Sequence, residues 1–246
     1  MLSDIWTKSA KVTRGRGRLA VMKWSSIFGL FLMLGLPRPT SAQQSYKPAE
    51  VASAGDAYTD YQVVFDGLFV LDVSINDDGG VHRIDALRDP GSMLDAAKTS
   101  LRSWKFHAAS RDGKPESSRV TVSFVYRPPD YGPAAAVPPK DFSPVIPPEA
   151  PDDREHDGYV PVGILSFAYP DYPVNSLASG SVVAQVTVDE SGVMKNVDFL
   201  HEMANFNGLV SGALKKWRFQ PATFKGKPIT SKTVVAFVFQ TPSSSN

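Results

Sequence analysis

Apolar and polar positions alternate in two stretches of the second half of the chain, with a segment of helical spacing between them. Val182 to Val188 has an apolar residue at every second position, which predicts a strand with one buried face. Asp189 to Gly192 is a turn pattern, and Val193 to Leu200 is the return strand of a hairpin. The apolar stripe of Leu209, Ala213 and Trp217 predicts a helix with Asn207 as its N-cap, and Thr233 to Gln240 predicts a last strand.

The same order of elements is predicted earlier in the chain. Leu71 to Ile75 alternates as a strand, Asn76 to Gly80 is a turn, and a return strand follows. Ser92 to Asp95 has the pattern of a capping box that opens a helix, and Val120 to Tyr126 is the last strand. The predicted fold class is therefore α+β, with two small ββαβ domains, each an antiparallel sheet with one helix packed on it.

Identical residues at one offset indicate an internal repeat. Trp104-Lys-Phe106 recurs as Trp217-Arg-Phe219, Gly113-Lys-Pro115 as Gly226-Lys-Pro228, and Phe124-Val125 as Phe237-Val238, each 113 positions later. Gly80 matches Gly192 at 112 positions, which predicts that one residue is gained or lost between these glycines and the tryptophans. The structural core is expected to include the aromatic side chains that end each helix, namely Trp104, Phe106, Trp217 and Phe219.

The N-terminus has the layout of a secretory signal. Basic residues precede the apolar run Ile27 to Leu36, and Thr40-Ser-Ala42 offers a small-residue cleavage site. The run is shorter than the roughly 20 apolar residues that a membrane span needs. We expect cleavage near Ala42 and a periplasmic protein. The alternative is an uncleaved anchor in the inner membrane, with the rest of the chain facing the periplasm.

Composition shifts divide the rest of the chain. Nine prolines lie between Pro128 and Pro151, a composition that favours an extended and semi-rigid spacer. The expected organisation is a signal peptide (1–42), a loose segment (43–57), a first domain (58–127), a proline-rich linker (128–160), a second domain (161–242) and a tail (243–246).

Charge and residue usage exclude several kinds of chemistry. The net charge of +1 implies no pull toward nucleic acid, and the lack of cysteine removes disulfides and thiolate sites. The four histidines are not at ligand spacing, and the acidic run from Asp152 has Ile164 where a calcium loop needs glutamate. No catalytic motif is present, so we expect neither an enzyme nor a bound cofactor or metal.

The second half resembles the C-terminal domain of TonB. The resemblance rests on a set of short motifs in the family's order: Tyr169-Pro170, Gly180, Asp189-Glu-Ser-Gly-Val193, Trp217-Arg-Phe-Gln-Pro-Ala222, Gly226-Lys-Pro228 and Phe237-Val-Phe239. The first half has Trp104-Lys-Phe-His-Ala-Ala109, so it lacks the proline of this motif, and it also lacks the Tyr-Pro pair. It is interpreted as a degenerate relative.

The resemblance implies a role in the cell envelope. TonB grips an extended segment of outer-membrane receptors by adding it as a strand to a sheet edge, where main-chain hydrogen bonds supply the affinity. The candidate edge here is Thr233, Val234, Val235, Ala236, Phe237, Val238 and Phe239. Two alternatives remain open. One is a structural envelope protein whose sheet edges pair internally or in a homodimer. The other is a membrane-anchored energy transducer for TonB-dependent transport.

Overall fold

The computed structural model describes residues 45–57, 67–88, 93–127, 142–149, 158–171, 176 and 178–240. These residues belong to one compact unit that starts at Gln43. The predicted signal peptide (1–42), the tail (243–246) and most of the proline-rich segment lie outside the described residues. Below, the first half means residues 45–127 and the second half means residues 158–240.

Each half contains eight strands and one helix among the residues described. The first half consists of β1 (Tyr46–Lys47), β2 (Glu50–Ser53), β3 (Gly67–Ile75), β4 (Val81–Arg88), α1 (Leu94–Ser103), β5 (Lys105–His107), β6 (Ala109–Arg111), β7 (Lys114–Glu116) and β8 (Ser118–Arg127). The second half consists of β9 (Tyr159–Val160), β10 (Gly163–Ser166), β11 (Gly180–Val188), β12 (Met194–His201), α2 (Asn207–Leu214), β13 (Arg218–Gln220), β14 (Ala222–Phe224), β15 (Lys227–Ile229) and β16 (Ser231–Phe239).

The spacing between equivalent elements is uniform. Every element of the second half begins 113 residues after its counterpart. The predicted gain or loss of one residue is therefore wrong, because the counterpart of Gly192 is Gly79 and not Gly80. Both glycines have positive φ, 84° for Gly79 and 79° for Gly192, as the tight turn of each hairpin requires.

The hairpin turn of the second half is fixed by Asp189. Its carboxylate accepts hydrogen bonds from the hydroxyl and backbone N–H of Ser191 and from the backbone N–H of Val193. The hydroxyl of Ser191 and the ammonium of Lys195 favour the ionised form, so the pKa of Asp189 lies below its ordinary value. The turn therefore forms from side-chain bonds within the segment itself, as its sequence predicts.

The predicted helix caps differ from those observed. The N-cap residue of α1 is Met93, which makes no side-chain capping bond, and Ser92 of the predicted capping box lies outside the described residues. In α2 the N-cap residue is Phe206, and the side chain of Asn207 accepts a hydrogen bond from the backbone N–H of Met203. Neither helix thus starts at a polar cap, and burial of the apolar stripe has to hold both in place.

The long strands of both halves form one sheet, not two. Its order is β12-β11-β16-β8-β3-β4. Pairs within each half are antiparallel, whereas β8 and β16 pair in parallel at the centre of the sheet. The α+β class holds, but the two predicted separate sheets are joined through their last strands.

The register at the central pair places the helices on opposite faces of the sheet. Val234 lies beside Val122, although the repeat makes Val235 the counterpart of Val122. Successive side chains in a strand point to opposite faces, so a shift of one residue reverses the faces of the two halves. The result is a core under α1 that contains Phe124 and a core under α2 that contains Phe237.

The N-terminal segment, which was expected to be loose, is part of the fold from residue 45 onward. β1 pairs with β6 and β2 pairs with β5. The segment also crosses to the second half, where Val51 N–H donates to the Gln185 side chain (2.9 Å) and Ala57 N–H donates to the Ser181 hydroxyl (2.7 Å). The segment is ordered because it covers apolar side chains of β11 and β16 that the second half itself does not cover.

Part of the proline-rich segment is also bound to the fold. Val145 exchanges two backbone hydrogen bonds of 2.8 Å with Ile164. Arg119 forms a buried ion pair with Asp72 and donates a further hydrogen bond to the carbonyl of Pro148 (3.0 Å). Proline lacks a backbone donor but keeps its acceptor, so residues 142–149 pack against the sheet instead of acting as a free spacer.

Candidate partner-binding strand

The predicted edge strand, Thr233 to Phe239, lies in β16 at the centre of the sheet. On one side β16 pairs with β11 along its whole length, from Val188 opposite Ser231 to Gly180 opposite Phe239. On the other side Val234 to Phe239 pair with residues 122–127 of β8. The Thr233 hydroxyl also donates to the carbonyl of Thr121 (2.8 Å). The prediction that this strand is an edge is therefore wrong for the folded chain.

Side chains of β16 are buried on both faces. Val235, Phe237 and Phe239 belong to the core under α2. Val234, Ala236 and Val238 belong to the core under α1. All six have no exposed surface. A near-continuous apolar run is typical of an interior strand covered on both faces, so the run was the sequence signal against an edge position.

The four aromatic residues that were expected in the core are buried. Trp104, Phe106, Trp217 and Phe219 expose between 2% and 7% of their surface. The Trp217 indole N–H donates to the carbonyl of Ala168 (3.0 Å), whereas the Trp104 indole N–H has no hydrogen-bond partner. The repeat places Gly55, a more exposed residue, at the position of Ala168. Ala168 directly precedes the Tyr169-Pro170 pair, which the first half lacks.

The outer strands β4 and β12 end the sheet on its two sides. Each pairs along one side only with a strand of the described chain, β4 with β3 and β12 with β11. Each ladder has two irregularities, one near the turn and one near the far end of the strand. Such bulges, together with charged side chains, limit unwanted pairing at exposed sheet edges.

Each outer strand has one packed face and one polar face. In β12, Val197 and Phe199 pack on the core under α2, while Asn196 and Asp198 are exposed. In β4, Ile84 packs on the core under α1. The side chains of Arg83 and Asp85, which are about half exposed at 54% and 50%, form an ion pair of 2.7 Å.

The tyrosines at the start of each half form a matched pair. Tyr46 is hydrogen-bonded to Ser118 and Tyr159 to Ser231, both at 2.8 Å. Burial raises the pKa of both phenols well above the ordinary value, so both remain protonated across the physiological range. The two rings lie 5.2 Å apart and join the halves through an aromatic contact.

Among the described residues, no group of three or more His, Cys, Asp or Glu could hold a metal ion. In the same part of the chain, no helix has the length and apolarity needed to cross a membrane.

The fold defines a class of protein: a sheet protein built from two equivalent halves whose last strands pair with each other. Within this chain, residues 166–241 match the family model of the Gram-negative bacterial TonB protein C-terminal. This part of the chain is a TonB C-terminal domain. No curated protein and no solved structure matches the chain.

The match confirms the resemblance seen in the second half. It runs from the end of β10 through β16 and so includes α2 and the Trp217 motif. Residues 166–241 make up less than a third of the 246-residue chain, so the match identifies a TonB-like part within it. The TonB C-terminal family is a non-enzymatic one, and its members interact with outer-membrane proteins.

Proposed function

We propose that this protein is a periplasmic, non-enzymatic interaction protein in which two TonB C-terminal-type halves are fused through their last strands. An extended segment of an envelope partner adds to an outer edge of the fused sheet. The observation that carries the proposal is that β16 already pairs on both sides. The first half thus occupies the side of β16 that a lone second half would leave free.

Binding at β16 itself would require the halves to separate. That step breaks the pairs between Val234–Phe239 and residues 122–127. It also exposes side chains on both faces, among them Val238 in the core under α1 and Val125 in the core under α2. Each large apolar side chain that leaves the core costs about 1.5–3 kcal/mol, whereas a new strand only replaces the hydrogen bonds that were lost. Addition at β4 or β12 needs no such separation.

The internal pairing of the last strands also supports a second candidate. In a purely structural envelope protein, the two halves would pair only with each other and the outer edges would remain unused. The charged residues and ladder irregularities of β4 and β12 are compatible with this role. The binding experiment below separates the two candidates.

The small number of residues between the N-terminal apolar run and the described fold supports export over energy transduction. Residues 37–44 separate Leu36 from Ser45, where the described fold begins. These eight residues span about 30 Å at most. An anchored chain would keep the folded unit beside the inner membrane. N-terminal sequencing of the protein from cell fractions tests cleavage near Ala42; an intact N-terminus in the membrane fraction would contradict it.

Strand addition can be tested with peptides from the periplasm-facing segments of outer-membrane receptors. Overlapping ten-residue peptides are screened for binding to the protein, and each binder is remade with N-methyl groups at odd or at even positions. In a strand added to an edge, alternate N–H groups point to the protein. We expect one methylated set to lose binding and the other to keep it.

Amide exchange then locates the bound peptide. We expect new protection in β12 or β4 and unchanged exchange in β16, which is already paired on both sides. Equal effects of both methylated sets would contradict strand addition. Absence of any binder in the screen would favour the structural role.

A further inference from the structure

The two outer strands are equivalent in position, length and pairing. β4 and β12 each have eight residues, lie 113 positions apart and run in the same direction in the sheet. Leu87 in β4 and Leu200 in β12 occupy the same irregularity at the far end of each ladder. Five strand spacings of about 4.8 Å place the two edges about 24 Å apart.

The two edges differ in charge at equivalent positions. Asp85 in β4 is balanced by its ion pair with Arg83. At the equivalent positions of β12, the carboxylate of Asp198 accepts a hydrogen bond from the neutral side chain of Asn196 (2.8 Å). The nearby Lys195 forms its ion pair with Asp189 instead. The exposed face of β12 therefore carries a negative charge that its neighbours in the strand do not balance.

We propose that β4 and β12 are two docking edges for extended segments with alternating apolar and polar residues, and that β12 prefers a segment with Lys or Arg facing Asp198. The proposal rests on the proposed function, which requires only one edge. The apolar residues of the segment would extend the packed face beside Val197 or Ile84. Its polar residues would lie on the exposed face beside Asp198 or Asp85.

A partner segment fits these edges better than a second copy of the chain. A molecule with two equivalent edges that paired with its own copies would grow into an open chain instead of a closed dimer. The irregularities near both ends of each ladder leave only a short regular stretch, which suits a peptide rather than the edge of a second sheet.

The number of sites can be measured with one designed probe. A blocked ten-residue peptide alternates valine with threonine and has one central lysine on the threonine side; a matched peptide has glutamate there. Both are titrated into the full chain by calorimetry, and the complexes are counted by native mass spectrometry. We expect two peptides per protein, with the lysine peptide bound more tightly than the glutamate peptide at one of the two sites.

Charge reversal on one edge at a time assigns the sites. Asp198→Lys should weaken the lysine peptide at β12 by up to about fivefold and favour the glutamate peptide there, because like charges on neighbouring strands repel. Asp85→Lys, which makes the same change in net charge, should leave the β12 site unchanged. Both residues are exposed, so the fold should tolerate either change.

The possible outcomes separate this inference from the function on which it rests. One bound peptide per protein would overturn the two-edge proposal while leaving strand addition in place. No bound peptide of either kind, together with an empty receptor-peptide screen, would overturn both. Self-assembly of the protein that grows with concentration and is blocked by Asp198→Lys would identify a second copy as the occupant and overturn the proposal.

Discussion

Gly79 and Gly192 bring the backbone of each hairpin turn against the strand that follows the helix. A Cβ atom on either glycine would lie 2.4 Å from a carbonyl oxygen, that of Phe106 for Gly79 and that of Phe219 for Gly192. Both glycines also have positive φ. The close approach ties the first hairpin of each half to its Trp-x-Phe segment. The turn glycine and the Trp-x-Phe segment of each half are therefore in direct contact, although they are far apart in the sequence.

Replacement of Gly192 by alanine should destabilise the protein more than the same change at Gly226. Gly226 also has positive φ, at 72°, but has open space where its Cβ would lie. Gly226→Ala should cost about 1 kcal/mol from the backbone conformation alone. Gly192→Ala adds a clash with backbone, and we expect a loss of about 3 kcal/mol or more in the free energy of unfolding in urea. Equal losses would show that the close approach is not formed.

At the scale of the elements, strand β16 shows why alternation alone misplaced an edge. Its residues at even and at odd positions are both apolar, and both sets are buried. β8 and β3 are also buried on both faces, although every second residue of β8 is mostly polar, as in Arg119, Thr121 and Ser123. In contrast, neither β4 nor β12 has a fully buried residue, and both strands have several exposed positions. The two-sided apolar run of β16 therefore fits an interior position, whereas β8 shows that a one-sided pattern does not by itself mark an edge.

Proline substitutions should distinguish the interior strand from an edge strand. Every backbone N–H in the central part of β16 points to a paired strand, so Val235→Pro and Ala236→Pro should each cost about 3 kcal/mol or more. In β12, adjacent N–H groups point alternately inward and outward. One of Val197→Pro and Asp198→Pro should therefore be tolerated, as judged by thermal unfolding. Tolerance of both prolines in β16 would contradict the central position of this strand.

For the whole molecule, the important feature is that each half covers a sheet face of the other. Val183, Val234 and Val238 of the second half lie in the core under α1, together with Val51 from the N-terminal segment. Val70 and Val125 of the first half lie in the core under α2. Glu50 adds an ion pair with Lys232 (2.6 Å) between the halves. Neither half has a complete core alone.

Separated halves should therefore fail to behave as independent domains. A chain of residues 142–246 would expose Val234, Ala236 and Val238, which are fully buried in the intact protein. We expect it to associate or aggregate and to bind the dye ANS, as seen by light scattering and fluorescence, while residues 43–246 remain soluble. A monomeric fragment with a cooperative unfolding transition would show instead that the second half is an autonomous domain.

Much of the local structure was predictable from particular residues. Asp189 and Gly192 specify a hairpin turn through bonds within that turn, and Trp217 with its neighbours specifies the buried end of a helix. The repeated Trp-x-Phe and Gly-Lys-Pro motifs specify two equivalent halves, and those of the second half are the motifs of the TonB C-terminal family. These features depend on contacts between residues close in the chain or on one apolar stripe, so they can be predicted from the sequence pattern alone.

The tertiary structure decided which strands are neighbours and hence which edges remain open. The pairing of Val234 with Val122, the crossing of Val51 to Gln185 and the binding of Pro148 by Arg119 all join residues far apart in the chain. Main-chain hydrogen bonds between strands have the same geometry whatever their partner, so no residue type encodes the choice. The choice is made by the burial of two apolar faces, which only the assembled sheet can provide.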